Sequence, residues 1–517
     1  VGSFSQRTAA ALHNELAEDN NCLEDLTLDP NITVIGSPAS SLRPTRLNPQ
    51  TLLQLQWMQE KRFPCEPVEY APAVLAIHDN RVDPAYRGRH PAAAKLKVLA
   101  SKTPKPPPPQ LEMAVKLLVE ELRPTVPQNA RVLTREEAFL GIENEIPGMD
   151  MSTAVGVPLN SHGYIKKNEL FIAFDKELGI IQPVQPLQER FELYDEARKN
   201  STFVPQEVAG FLKDEAVAMS KVVACKTRVV WMCDTVFLSE IKRLTAYLVA
   251  GLTANWTKTG ILIGPNLLGP DMNGVVDYLR HEDGRDDFIF DGVIAGDWKD
   301  FDFRMNEHVL SAVWDVIKQC CTSIRGFDPV WFDALRESLF SARFTLHGVS
   351  FGCRSFNASG NYLTTVVNCF YNKLMWYCWA LEHDRVVVSR DLRLVVGGDD
   401  CLARFFGPLQ DCVPADFDDW LQTYGGRFTP DEKGLTWDEV APTRSIMDVT
   451  IYGCSPAPVL KRTHTVVAPD SPYIEIMGTQ AMTFVGQIRS STVLKLLSYR
   501  RRYTTPMEWA QAVLSLY

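Results

Sequence analysis

The segment Leu394-Val395-Val396-Gly397-Gly398-Asp399-Asp400-Cys401-Leu402 constrains this chain more than any other. Two apolar runs flank a tight Gly-Gly-Asp-Asp turn, the pattern of a buried β-hairpin. Adjacent carboxylates at its tip repel, so one would stay protonated unless a cation compensates them. A second acidic run lies upstream, Val293-Ile294-Ala295-Gly296-Asp297-Trp298-Lys299-Asp300-Phe301-Asp302. A strand-borne Asp297 and a hairpin-borne Asp399 and Asp400 are predicted to converge on Mg²⁺. Hard cations held by carboxylates about 3.5–4 Å apart are the usual apparatus of nucleotidyl transfer.

The 517 residues, 45% hydrophobic, allow several domains or one large enzyme with subdomains. No run approaches the roughly eighteen apolar residues of a membrane helix, so a soluble protein is expected. The start, Val1 to Arg7, has neither the apolar stretch of a secretion signal nor an initiator Met, which suggests processing or trimming. Twelve cysteines without CxxC pairs or Cys/His ligand spacing read as buried free thiols. A net charge of −10 argues against a general nucleic-acid coat but not against a locally basic channel. Two basic clusters qualify: Lys213, Lys221, Lys226 and Arg228, and the run from Arg489 through Lys495 to Arg500, Arg501 and Arg502.

Ser101 to Pro109 is a stiff, polyproline-like connector, either a divider between domains or a strap within one. Residues 110–123 read as an amphipathic helix with Leu111, Val115, Leu118 and Leu122 on one face. A strand is predicted to end at Asp297, and Asn306 to cap a helix. A long apolar helix is expected from about Tyr362 to Glu382, then the acidic hairpin, then a helix near 415–424. That order predicts an α+β sheet with helices beneath it.

Three further segments carry chemistry. Ser359 and Gly360 are placed at a helix N-terminus, where free N–H groups meet an anion or a ribose. Thr364 and Asn368, four residues apart, share one face of the helix that follows. Lys226 and Arg228 alternate along a predicted strand ending in Val229-Val230-Trp231-Met232 and so share a face, suited to a triphosphate. Lys433, in Phe428-Thr429-Pro430-Asp431-Glu432-Lys433, is a candidate general acid. Taken singly, these are also what core hydrogen bonding and solvated charge produce.

In this order, the segments resemble the RNA-dependent RNA polymerases of positive-strand RNA viruses, specifically the picornavirus-like group. Lys213-Asp214-Glu215, Lys221 and Lys226-Thr227-Arg228 look like that family's fingers motif. Asp297 to Asp302 and Gly398-Asp399-Asp400 match its palm motifs, and Ser359-Gly360, Thr364 and Asn368 its loop-and-helix motif. Gly148 to Pro158 is similar to the motif beside the template entrance, and Pro72 to Asp79 faintly to the N-terminal fingers. The likeness runs from about 70 to 460. Three positions depart: Gly397 stands where the family usually has Tyr, Val217 replaces a basic residue, and Ile451-Tyr452-Gly453-Cys454 matches the primer-grip turn poorly.

The resemblance implies a closed right hand. Fingers would use 1–245 and 306–352, palm 246–305 and 353–455, and a small helical thumb 456–517. Asp297 and Asp399, assisted by Asp400, would bind two Mg²⁺ ions, with Mn²⁺ able to substitute. Lys213, Lys221, Lys226 and Arg228 would bind the triphosphate, and Lys433 would protonate pyrophosphate. Asp302 and Asn368, with Ser359, Gly360 and Thr364, would recognise the ribose. Ser152, Thr153, Arg500, Arg501 and Arg502 would touch RNA. Implied partners are an RNA template-primer, NTPs, a small protein primer and other viral replication proteins. The implied location is the host cytoplasm, at membrane-associated complexes reached through partners. The rival readings are a reverse transcriptase or nuclease, disfavoured by Asp302 with Asn368, and a silent RNA-binding scaffold, disfavoured by the intact carboxylates.

Overall fold

The computed structural model describes residues 33–36 and 70–488, apart from 77–78, 89, 101, 281–285, 288, 347–348, 433–434 and 463–479. A four-stranded antiparallel sheet runs in the order Leu392–Gly397, Asp400–Phe405, Val293–Trp298, Phe428–Pro430. Its apolar strands serve two cores, and the period of two divides them. Ile294, Trp298, Leu394, Val396, Cys401 and Ala403 face the larger core. Val293, Ala295, Val395 and Leu402 face a smaller one with Met272, Val275 and Phe484.

On the larger side lies the helix Thr364–Ala380, buried on nearly every face. Its Trp376 stacks on Phe417 of the helix Pro414–Thr423, ring centroids 3.5 Å apart. Each such buried ring contributes about 1.5–3 kcal/mol of transfer free energy. On the smaller side the helix Asp271–Leu279 packs with a ribbon of Cys454–Arg462 and Gln480–Ile488. The described part of 456–517 is therefore strand, not the helix expected there, and the rest of that segment lies outside the described residues.

A five-stranded sheet runs Thr33–Gly36, Val349–Gly352, Arg343–Leu346, Glu207–Leu212, Val229–Met232. Only the pair Arg343–Leu346 and Glu207–Leu212 is parallel. The mixture of antiparallel sheet and packed helices is the α+β class expected.

Several predicted elements fall within two residues of their observed bounds: helices Leu111–Leu122 and Pro414–Thr423, and the strand ending at Trp298. Asn306 caps the helix Glu307–Cys321, its Oδ1 accepting from the N–H groups of His308 at 2.9 Å and Val309 at 3.4 Å. Two placements need correction. Ser359 and Gly360 lie in a turn ahead of the helix, which starts at Thr364, because 357–363 is spent on side chain–backbone bonds. Lys226 and Arg228 precede the strand Val229–Met232, yet the alternation persists: both are exposed and Thr227 between them is buried, its hydroxyl donating to Val74 O at 2.7 Å.

The proline-rich segment is a strap. Asn306 Nδ2 donates to Pro106 O at 3.0 Å, Pro108 is buried, and Lys102 Nζ donates to the carbonyls of Met305 and of Ser355, the latter at 2.9 Å. The ten described cysteines are free thiols, and all but Cys412 are buried. Among the described residues no helix is long and apolar enough to cross a membrane.

Candidate active site

Strand pairing builds the acidic centre. Gly397 pairs with Asp400, leaving Gly398-Asp399 as a two-residue turn, and Gly398 takes the left-handed φ of +68° that such turns require. Asp400 is in turn directly opposite Asp297 on the neighbouring strand, and Trp298 N–H donates to Asp399 O at 3.2 Å. Asp399 is exposed at the tip, while Asp297 and Asp400 are half-buried.

The helix Thr364–Ala380 fixes this turn from below. Asn372 Nδ2 donates to Gly398 O at 3.1 Å. Cys369 Sγ accepts from Gly398 N–H at 3.2 Å and donates to Val396 O at 3.7 Å. Burial pushes the Cys369 thiol up to about 12, so it keeps its proton and remains a donor.

One turn earlier the same helix reaches the second acidic site. Asn368 Nδ2 donates to Asp302 Oδ1 at 3.2 Å, and Asn357 Nδ2 donates to Asn368 Oδ1 at 2.7 Å, which fixes the Asn368 amide with its NH₂ toward Asp302. Thr364 Oγ1 is directed at the carbonyls of Asn361 at 2.8 Å and Ala358 at 3.0 Å, so it fastens the loop. Ser359 Oγ accepts a long bond, 3.4 Å, from Trp231 N–H. Gly360 sits where a Cβ would lie 1.9 Å from Trp231 O.

The basic cluster is organised by a buried carboxylate. Glu215 is 1% exposed and pairs with Lys213 Nζ at 3.2 Å and Arg228 at 3.4 Å. Lys213 N–H donates to Arg228 O at 2.8 Å, and Lys226 N–H to Lys221 O at 2.9 Å, which gathers all four cations on one folded segment. Val217, the apolar departure, is buried and pairs with Ala71.

Ser152 and Thr153 are exposed on a separate turn. Ser152 Oγ donates to Asp150 Oδ1 at 2.7 Å, and Thr153 Oγ1 accepts from Lys167 Nζ at 2.5 Å. Lys433, Arg500, Arg501 and Arg502 lie outside the described residues. Just before Lys433, the strand Phe428–Pro430 pairs with the Asp297 strand, and Arg444 holds both Asp431 and Glu432.

Sequence reading missed three contributors. Glu215 was legible only as a motif letter. Asn357 is an ordinary loop polar residue until the helix brings it to Asn368. Lys95 has no local signal at all; it pairs with Asp300 from the helix Ala93–Ala100 and bears electrostatically on Asp302.

The acids suit Mg²⁺. Their donors are all carboxylate oxygens, and Mg²⁺ takes one or two carboxylates with water and substrate phosphates completing its shell. The local field is negative: burial and the charge of Asp399 push Asp302 up to about 6, against the Asn368 hydrogen bond, Lys95 and Arg228.

A raised carboxyl pKa has a definite sign. The folded state holds the Asp302 proton more tightly than the unfolded chain, so no cost arises below about pH 4, and the cost grows up to about pH 6 and then persists. In metal-free buffer, Asp302→Asn is expected to gain thermal stability relative to wild type as pH rises from about 4 to about 6. A constant difference in melting temperature across that range would mean that Lys95 and Arg228 already compensate the charge.

A sheet carrying paired aspartates on adjacent strands, a helix presenting Asn368 to Asp302, and a basic segment ordered by Glu215 define a palm-type nucleic-acid polymerase. The family model described as viral RNA-dependent RNA polymerase matches residues 59–464, and the chain belongs to that family. Over 93% of both chains the fold is similar to a Sicinivirus 3Dpol RNA dependent RNA polymerase, with a TM-score of 0.69 at 19% identity. The chain is 24% identical over 436 residues to the genome polyprotein of Salivirus A (isolate Human/Nigeria/NG-J1/2007), covering 80% of this chain and 16% of the polyprotein. It is 25% identical over 249 residues to that of avian encephalomyelitis virus (strain Calnek vaccine), covering 47% and 10%. The chain thus spans a small fraction of the curated relatives it matches.

Proposed function

We propose that this chain copies an RNA template into RNA, adding NTPs to an RNA or protein-linked 3′-OH during replication of a positive-strand RNA viral genome. The observation that carries the reading is the register that sets Asp297 opposite Asp400, beside the Asp302–Asn368 pair.

Asp297 and Asp399, with Asp400 assisting, would hold two Mg²⁺ ions, or Mn²⁺ in their place, which would supply a lowered pKa for the 3′-OH and charge neutralisation for the triphosphate and pyrophosphate. Phosphoryl transfer otherwise needs mainly positioning and charge stabilisation. Lys213, Lys221, Lys226 and Arg228 grip the triphosphate, with Glu215 setting the spacing of Lys213 and Arg228. Lys433 protonates the pyrophosphate. Ser152 and Thr153, and the basic run Arg500 to Arg502, contact the RNA backbone. Residues 1–245 and 306–352 act as fingers, 246–305 and 353–455 as palm, and 456–517 as thumb. Replication takes place in the host cytoplasm, with membranes, a protein primer and other viral proteins reached as partners.

Asp302 and Asn368 select the sugar. A ribose 2′-OH is both donor and acceptor, and the Asp302 carboxylate and Asn368 amide answer each role. Asn368→Ala is expected to lower the ratio of kcat/KM for CTP over dCTP by about tenfold or more, because a buried polar site discriminates through the partner it leaves unpaired. A variant slowed equally on both nucleotides would assign Asn368 a purely structural part.

The test of the whole reading is extension of a hairpin RNA with four NTPs and Mg²⁺. Templated product from the wild type supports it. Absence of product with Mg²⁺ or Mn²⁺ on a preformed primer overturns it in favour of a silent scaffold.

A further inference from the structure

The two departures at Gly397 and at Ile451–Cys454 meet in space. The turn Ile451-Tyr452-Gly453-Cys454 is closed by reciprocal bonds between Ile451 and Cys454, both 2.9 Å. Tyr452 and Gly453 have φ of +51° and +72°. Such turns favour Asn and Gly at these positions, and a bulky residue there is strained, so an aromatic in the first of them calls for a compensating contact.

Three contacts are present. A Cβ built on Gly397 would lie 2.5 Å from Cζ and 2.7 Å from Oη of Tyr452, so the ring fills the space a side chain at 397 would enter. The Tyr452 N–H donates to Asp400 Oδ2 at 2.9 Å, and its hydroxyl makes a longer bond, 3.4 Å, to Leu262 O. Position 397 is the first residue of the acidic turn, and Asp400 the last.

The geometry points to an aromatic exchange: Tyr452, supplied from a second turn, takes the place of an aromatic at 397 and acts as a positioning residue that fixes Asp400. Any side chain at 397 meets the ring, and loss of the partly exposed ring opens that space to solvent and loosens the turn whose backbone N–H holds Asp400. This deepens the polymerase reading and rests on it.

The test is a cycle of Tyr452→Gly, Gly397→Tyr and the double variant, with Tyr452→Phe as the conservative control. Glycine at 452 keeps the positive φ while removing the ring. Each single variant is expected to lose about tenfold or more in kcat for primer extension with KM for NTP little changed, and the double variant to recover at least about threefold over the worse single. Tyr452→Phe is expected to stay within about threefold of wild type, because the ring and the amide remain.

Thermal melts of the same proteins separate failure of this inference from failure of the polymerase reading, since they need no catalysis. Clashing and rescued packing predicts that the double variant melts above Gly397→Tyr alone. Wild-type turnover in Tyr452→Gly, or a double variant no better than Gly397→Tyr in both rate and melting, would overturn the exchange while leaving the polymerase reading intact. A wild type that extends nothing overturns that reading, and the melts alone then decide whether the two positions are exchanged.

Discussion

Asp399→Asn is expected to reduce templated extension by about 10³-fold or more in kcat while leaving the fold at least as stable as wild type. The two halves of that expectation come from one cause. Asp399 stands at an exposed turn tip next to Asp400, with Asp297 on the adjoining strand, and its charge helps push Asp302 up to about 6. Without cations the cluster is self-repelling, so one fewer negative charge relieves it. On the proposed function that same charge would bind a cation, and an amide is a poor replacement for a carboxylate on a hard ion. The backbone contact of Asp399, its carbonyl accepting from Trp298 N–H, is untouched by the substitution. Melting curves in chelator and primer extension in Mg²⁺ check the two halves. A variant that retains a tenth of wild-type turnover would take Asp399 out of the metal site.

Gly360→Ala is expected to cost about 2–3 kcal/mol in stability, as overpacking against rigid neighbours does, and about 10²-fold in turnover. The added methyl would lie 1.9 Å from Trp231 O and 2.8 Å from Trp231 C, which are backbone atoms of a strand. That strand cannot yield locally, because Trp231 is 2% exposed and wedged edge-on against Phe344, Phe351 and Phe356. The loop must move instead. It carries Asn357, which orients Asn368 toward Asp302, and the carbonyls that Thr364 fastens. Ser359→Ala, which loses only a 3.4 Å bond, is the matched control and should cost about 1 kcal/mol or less. Urea unfolding of both variants decides the point: equal stabilities would mean that the loop has slack the structure does not show.

The acidic hairpin, the Asn306 cap and the buried helix were legible because their signals are local: alternation of apolar residues, a capping amide, an unbroken apolar run. The meeting of Asp297 with Asp400 followed from the same patterns once the strands paired. What the sequence left obscure depends on contacts distant in the chain. Lys95 reaches Asp300 across some two hundred positions, and buried Glu215 sits beside a strand pairing, Tyr70–Pro72 with Ala216–Ala218, that joins segments far apart in the chain. Ser359 reads as the place where a helix begins, with Gly360 permitting a tight backbone. The chain instead uses Asn361 and Thr364 to close a turn first. Gly397 and Tyr452 each looked like a flaw in a motif until the fold set them side by side.

The proline strap has a consequence for inheritance. Asn306 caps the helix that follows the Asp297–Asp302 run, and its amide rests on Pro106, while Lys102 holds carbonyls at both ends of the stretch that joins that run to the Ser359 loop. Residues 102–108 and 305–355 are therefore a matched set, although some two hundred residues separate them. A genetic crossover between those two stretches would unite a strap from one parent with anchors from another. Viable recombinants between diverged relatives should carry their junctions outside that interval, or inherit both ends from the same parent.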